Sequence, residues 1–170
     1  TEPQVLTGQI TQQTNLNCFG ANNGTVTIEG AGGMESLSYT LGSETNTTGI
    51  FNGLVEGTYS VSVLDDNNCE NNVLVDITQP AELISNIASQ QNIACSGGNV
   101  GAVTINSSGG SGVISVDLGG TTLTGNSVTF ENLAAGIYPI LVTDDNNCQV
   151  NLSAEITQDA SVELTLSETQ

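Results

Sequence analysis

The chain has 170 residues, of which 18 are Asp or Glu and none is Lys, Arg or His, for a formal net charge of −18 at pH 7. A surface without cations offers nothing to nucleic-acid phosphate or to an anionic bilayer, and no side-chain salt bridge can form. The lack of His and Lys also removes the commonest general bases, the Schiff-base amine and most transition-metal sites, so an enzyme is not expected.

The apolar residues are mainly Val, Ile and Leu, mixed with Thr, Asn, Ser and Gly. That is strand-and-turn composition. No apolar run reaches the ~18 residues that would span a membrane, so direct insertion is not expected. In chain order, period-two alternation predicts strands at Val5–Thr11, Thr25–Glu29, Leu37–Leu41, Thr48–Phe51, Thr58–Leu64 and Val73–Thr78. A second set follows at Leu83–Ser89, Ala102–Ser107, Val113–Leu118, Ser127–Phe130, Ile137–Thr143 and Asn151–Thr157. Turns are marked by Gly32-Gly33, Gly42-Ser43, Asn52-Gly53, Gly109-Gly110 and Gly119-Gly120. Short strands at this spacing predict an all-β fold of tandem immunoglobulin-like Greek-key β-sandwich modules.

The two sets are copies of one unit. Phe51-Asn-Gly-Leu54-Val-Glu-Gly57-Thr-Tyr59 returns as Phe130-Glu-Asn-Leu133-Ala-Ala-Gly136-Ile-Tyr138, and Cys69 returns as Cys148, an offset of 79 residues. Cys18, Gly24, Val26 and Ile28 return as Cys95, Gly101, Val103 and Ile105, an offset of 77. Such periods signal a module array. They place one repeat at residues 1–79, a second at 80–158 and the first strand of a third at 159–170, where Val162, Leu164 and Leu166 alternate. Thr1-Glu2-Pro3 matches Thr78-Gln79-Pro80, so the chain reads as a segment of something longer. Modules of this size bury only ~60–65% of their surface and are marginal without staples.

Leu54, Gly57 and Tyr59, with Leu133, Gly136 and Tyr138, have the pattern of a tyrosine corner, in which the phenol bonds back to the turn before its strand. Four cysteines allow three pairings. The repeat favours Cys18–Cys69 and Cys95–Cys148, one per module. Four predicted strands separate Cys18 from Cys69, and an even number returns the chain to the same end of a sandwich. Paired cysteines imply an oxidising, extracellular compartment. The same count puts both ends of a six-strand module on one side, which suits a zigzag better than a straight rod. Either a strand is missing from each count, or neighbours join through the strand around Pro80.

Asp65-Asp66-Asn67-Asn68 and Asp144-Asp145-Asn146-Asn147 are the most site-like segments. They fit a tight turn, with Asn68 and Asn147 tolerating the left-handed conformation. Asp65, Asp66, Asn67, Asp144, Asp145 and Asn146 are also candidate Ca²⁺ ligands, because hard cations take carboxylate and amide oxygens. Their spacing lacks the regular loop pattern of dedicated Ca²⁺ motifs. Sequons occur at Asn23, Asn46, Asn106 and Asn151.

Thr-(Glu/Gln)-Pro, a Cys about fifteen residues on, Gly-x-Val-x-Ile, Gly-Gly, Phe-x-x-Leu-x-x-Gly-x-Tyr, Asp-x-x-x-Cys and Ile-Thr-(Glu/Gln)-Pro together resemble the SprB-type repeat of large surface adhesins of gliding Bacteroidota. The resemblance spans about Thr1 to Asp159. Leu37-Ser-Tyr39 and Val113-Ile-Ser-Val116 stand where the family has Pro-Tyr. The resemblance implies a stalk of an acidic extracellular filament or adhesin at the cell surface, and no catalytic residues. The expected partners are neighbouring repeats, with self-association into fibres and surface glycans as alternatives.

Overall fold

The computed structural model describes residues 4–34, 36–94 and 100–159. The predicted third-repeat strand at Val162–Leu166 lies outside them. The chain divides into two compact units, Thr1–Ala81 and Glu82–Gln170.

Among the described residues the first unit holds seven strands: β1 (Thr7–Thr14), β2 (Gly24–Ala31), β3 (Leu37–Leu41), β4 (Glu44–Asn46), β5 (Ile50–Leu54), β6 (Gly57–Asp65) and β7 (Glu70–Ile77). They form two antiparallel sheets of order β1-β2-β5 and β4-β3-β6-β7. This is a Greek-key sandwich of immunoglobulin type. Val26 and Ile28 from the first sheet meet Tyr39, Val61, Val63, Val73, Val75 and Ile77 from the second, with Phe51 fully buried between them. Fully burying each large apolar side chain stabilises the fold by about 1.5–3 kcal/mol.

The second unit repeats the plan with β8 (Ile84–Gln91), β9 (Gly101–Ser108), β10 (Ser115–Leu118), β11 (Thr121–Thr124), β12 (Ser127–Leu133), β13 (Gly136–Thr143) and β14 (Gln149–Ile156). Its sheets run β12-β9-β8 and β11-β10-β13-β14. Val103, Ile105, Val116, Val128, Phe130, Ile140, Val142 and Ala154 fill its core.

The seventh strand of each unit, β4 and β11, is absent from the sequence-based count. β4 has only three residues, Glu44-Thr-Asn46, and no apolar alternation to reveal it. It forms because Gly42, at φ 59°, closes a two-residue turn after β3, and Tyr39, Thr40 and Leu41 then pair with Asn46, Thr45 and Glu44. With seven crossings rather than six, a unit's chain starts at one end of its sandwich and leaves at the other. The leading end of the first unit holds the β2–β3 and β6–β7 turns, where the Gly33 N–H donates to the Gln4 carbonyl at 3.0 Å. The trailing end holds the β1–β2 loop, where the Leu16 N–H donates to the Thr78 carbonyl at 3.0 Å and the Gly20 N–H to Gln79 Oε1 at 2.7 Å.

Side-chain amides tie the two sheets together along one edge. Gln13 Nε2 donates to the Asp76 carbonyl at 2.8 Å, and Asn15 Oδ1 accepts the Thr78 N–H at 3.2 Å. Gln90 and Asn92 repeat both bonds in the second unit, to the Glu155 carbonyl and the Thr157 N–H. The first strands are bulged, between Ile10 and Gln12 in β1 and between Ile87 and Ser89 in β8, which breaks strict period-two alternation there.

Candidate functional site: the acidic hairpins and the cysteines

Alternation along β6 turns Val61, Val63 and Asp65 inward, so the carboxylate sits at the end of the apolar row and is 5% exposed. Asp144 follows Ile140 and Val142 in the same way along β13 and is 4% exposed. A buried carboxylate without a cation must be satisfied by donors. Asp65 Oδ1 accepts the N–H of Asn67 at 2.9 Å and of Cys69 at 2.8 Å, and Oδ2 accepts the N–H of Met34 at 3.0 Å. In the second unit Asp144 Oδ1 takes the N–H groups of Asn146 and Cys148, both at 2.9 Å, and Oδ2 takes that of Ser111 at 2.8 Å. Each carboxylate closes its own hairpin and clips the neighbouring Gly-Gly turn to it. Burial works to raise the Asp65 carboxyl, but the backbone N–H groups of Cys69, Met34 and Asn67 outweigh it, so the group is held below its ordinary value of 3.8.

The supporting residues are fixed by the same geometry. Asn68 and Asn147 adopt φ of 60° and 63°, the left-handed position of the hairpin. Gly33 and Gly110, at φ 68° and 65°, pack against the carboxylates: an added Cβ would lie 3.1 Å from Asp65 Oδ2 or 2.8 Å from Asp144 Oδ2. Asp66 and Asp145 face outward, and each accepts one N–H from the clipped turn, Ser36 at 3.3 Å and Val113 at 2.9 Å.

The candidate Ca²⁺ ligands Asp65, Asp66, Asn67, Asp144, Asp145 and Asn146 thus lie in two hairpins whose aspartates accept backbone N–H groups. The inward carboxylates accept amide hydrogens of their own hairpin and of the neighbouring Gly-Gly turn, and the outward ones accept one more from that same turn. Among the described residues no group of three or more His, Cys, Asp or Glu side chains is placed to hold a metal ion. The donors Met34 and Ser111 carry no sequence signal, because only their backbone is used. The acceptors do carry one: Asp65 and Asp144 continue the inward register of the valines before them.

The tyrosines form corners. Tyr59 Oη donates to the Val55 carbonyl and Tyr138 Oη to the Ala134 carbonyl, each at 3.0 Å. Leu54 is buried and Leu133 packs against its core. Gly57 and Gly136 open the following strands at φ 153° and 159°, which no other residue adopts without strain.

The pairing Cys18–Cys69 is not formed. Cys18 is disulfide-bonded, whereas Cys69 is a free, exposed thiol. The cause is the short strand β4. It makes five crossings between the two cysteines instead of four, so Cys18 lies at the trailing end and Cys69 at the leading end. Strand β7 alone separates those ends by roughly 20 Å at ~3.3 Å per residue, against the ~7 Å Cα separation a disulfide can bridge. Cys148 is disulfide-bonded, and Cys95 lies outside the described residues.

Three of the sequon asparagines are engaged in the fold, and Asn23 is hydrogen-bonded to Asn17 through both its Oδ1 and its Nδ2. Asn46 Nδ2 donates to the Ile50 carbonyl at 3.0 Å while its Oδ1 accepts the N–H groups of Thr48 and Gly49. Asn106 Oδ1 accepts the Ser127 hydroxyl at 2.7 Å.

Strand topology and the tyrosine corners define this chain as a pair of immunoglobulin-like β-sandwich modules. Its first module carries a match to the SprB repeat family over residues 10–45, from β1 into β4. No protein of curated function matches the sequence. Among solved structures, three N-terminal domains of the bacteriophage RB49 Highly Immunogenic Outer Capsid protein are similar at 21% identity and a TM-score of 0.47, over 89% of this chain and 59% of that one. Drosophila OTK extracellular domains 3–5 align at 13% identity and a TM-score of 0.46, over 91% of this chain and 62% of that one. Domains 4 and 5 of the S-layer protein SbsC align at 12% identity and a TM-score of 0.37, over 92% and 100%. The SprB match and the disulfide-bonded cysteines fit an extracellular structural repeat.

Proposed function

We propose that the chain is a stretch of stalk in a long, acidic surface adhesin or filament, holding adhesive regions away from the cell. The observation that carries this reading is that the most site-like groups are spent inside each module. Asp65 and Asp144 satisfy backbone amides of their own hairpins, and Tyr59 and Tyr138 brace their own corners. Both sets are copied with the scaffold, and none is left over as a binding constellation. A unit whose chain starts at one end and leaves at the other also suits linear repetition. On this reading the chain is not an enzyme, and its immediate partners are neighbouring repeats.

Antibodies raised against the two modules test the reading on intact and permeabilised cells. A stalk predicts labelling of intact cells and loss of that labelling on brief treatment with proteinase K. Trypsin should leave these modules uncut, because the chain has no Lys or Arg. Labelling that requires permeabilisation would sink the proposal.

A further inference from the structure

The acidic hairpins and tyrosine corners are the same in both modules, but one end of the second module's three-stranded sheet departs from the first. The pair Gly8–Gly30 of β1 and β2 becomes Ser85–Ser107 of β8 and β9, and Gln9–Glu29 becomes Asn86–Asn106. Tyr39 becomes Val116, each facing an equivalent valine, Val63 or Val142. These changes belong together. In the first module the Gly30 N–H donates to Tyr39 Oη at 3.0 Å, and a Cβ on Gly30 would stand 2.6 Å from Leu37 Cδ1 and 3.1 Å from Tyr39 Oη, so the position is kept as glycine. Val116 has no hydroxyl to offer. Instead the ladder that ends at Thr27–Ile50 in the first module continues by two pairs in the second, Ile105–Val128 and Asn106–Ser127. The Ser107 N–H then donates to the Asn126 carbonyl at 2.8 Å.

This arrangement leaves a groove of about 440 Å³, within the ~300–1,000 Å³ usual for small-molecule sites. Ladder register sets Ile84 beside Ser108 and puts Asn86, Asn106 and Ser127 in one row on the outward face. The Ser127 hydroxyl donates to Asn106 Oδ1 at 2.7 Å. The Ser85 hydroxyl donates to the Asn106 carbonyl at 3.2 Å and shares a bond of 2.8 Å with the hydroxyl of Ser107, which is 8% exposed. Asn106 Nδ2 and the carboxamides of Asn86 and Asn126 have no partner among the described residues. Ile84, 54% exposed, adds an apolar surface.

No charged side chain lines this groove among the described residues. Without a cation it offers no counter-charge to an anion, and without a carboxylate it offers none to a metal ion or an amine. What it does offer is hydroxyls and carboxamides, each presenting a donor beside an acceptor. That is the complement of neighbouring hydroxyls on a neutral sugar ring, whose C–H face Ile84 can cover. Features copied in every module serve the scaffold, whereas this one belongs to a single copy, as a recognition site does. We infer that the second module binds a neutral saccharide in this groove, its hydroxyls held by the carboxamides of Asn86, Asn106 and Asn126 and by the Ser127 hydroxyl.

The site does not depend on the stalk reading: a failed surface-labelling experiment would leave it standing, and an empty groove would leave the stalk standing. The test is an NMR titration of the whole ¹⁵N-labelled chain, following backbone and side-chain amide signals. The probes are neutral disaccharides of glucose, galactose, mannose and xylose, with the galacturonic acid dimer as an anionic control. The expected result is saturable shifts at Ser85, Asn86, Asn106, Asn126 and Ser127 with at least one neutral disaccharide. Gly8, Gln9, Glu29 and Gly30 should not move, and the anionic dimer should not bind. Asn86→Ala and Asn106→Ala should each weaken binding by about tenfold, the size of one hydrogen bond. The Asn86 side chain bonds no described residue, so Asn86→Ala should leave the melting temperature unchanged. No saturable shift with any of the neutral disaccharides would overturn the inference. So would equal shifts at the first module's positions, an anionic dimer bound as tightly, or full-strength binding by both variants.

Discussion

Asp65 and Cys69 bind each other twice through the backbone of one turn: the Cys69 N–H donates to Asp65 Oδ1 at 2.8 Å and the Asp65 N–H donates to the Cys69 carbonyl at 3.1 Å. A carboxylate used in this way is part of the fold's hydrogen-bond economy, and its removal strands donors rather than a ligand. Asp144→Ala leaves the N–H groups of Ser111, Asn146 and Cys148 without their acceptor. The loss should be about 3 kcal/mol, read as a lower urea midpoint, because hydrogen bonds to charged acceptors contribute roughly 1.5–3 kcal/mol each before the turn relaxes. Adding Ca²⁺ or EDTA should leave the wild-type midpoint where it is. A rise with Ca²⁺ that Asp144→Ala abolishes would instead establish the hairpin as a cation site.

The pH dependence of this hairpin follows from the direction of the Asp65 shift. Its folded value lies below the ordinary 3.8. A depressed carboxyl adds stability that is complete above the unfolded value and is lost as pH falls through the folded one. Asp65→Asn keeps the shape and removes the titration. Between pH 5 and pH 2 (about the range in which an aspartate lowered from ~3.9 changes charge) the wild type should lose stability more steeply than the variant. Parallel curves in urea titrations would contradict the assignment.

The tyrosine corners give a prediction of smaller size. Tyr59→Phe and Tyr138→Phe each remove one hydroxyl bond of 3.0 Å to a turn carbonyl and little apolar contact. Each should cost about 1 kcal/mol. The two should add, because the corners belong to different modules. A double variant that loses much more than the sum of the singles would show that the modules do not unfold independently of these corners.

How far the sequence could be read depended on whether a feature had a side-chain pattern. Most of the strands announce themselves through alternating Val, Ile and Leu, and the corners through Leu-x-x-Gly-x-Tyr. β4 does not, since Glu44-Thr-Asn46 has no inward apolar residue; only the two-residue turn at Gly42-Ser43 betrays it. That single omission had a large effect. It inverted the parity of the Cys18-to-Cys69 path and turned two cysteines at opposite ends into an apparent pair. The acidic turn was visible as a turn, but its function as an acceptor depends on backbone N–H groups of Met34 and Ser111, and backbone donors leave no mark on composition.

The left-handed hairpin residues separate backbone strain from side-chain need. Asn68 and Asn147 sit at φ near +60°, where glycine pays no Cβ penalty and a β-branched residue does. Asn68→Gly should leave stability within about 0.5 kcal/mol of wild type, whereas Asn68→Val should lose about 1–2 kcal/mol through strain alone. Equal effects of the two substitutions would mean that the Asn side chain, not the conformation, is what the position requires.

Charge sets the last expectation. Eighteen side-chain carboxylates face no Lys, Arg or His anywhere in the sequence, so every long-range interaction between charged side chains in the folded chain is repulsive. Compaction brings these charges closer than in the unfolded chain, and salt screens them over a Debye length of about 10 Å at 0.1 M. Stability should therefore rise as NaCl is raised from low to moderate concentration. The opposite trend is usual for proteins held by surface ion pairs, because there salt weakens attraction. The local bonds of Asp65 and Asp144 are buried and short, so screening should spare them while it relieves the exposed carboxylates. Melting temperatures measured across a NaCl series at neutral pH decide the matter. A fall over that range would require an attractive electrostatic network that this composition cannot build.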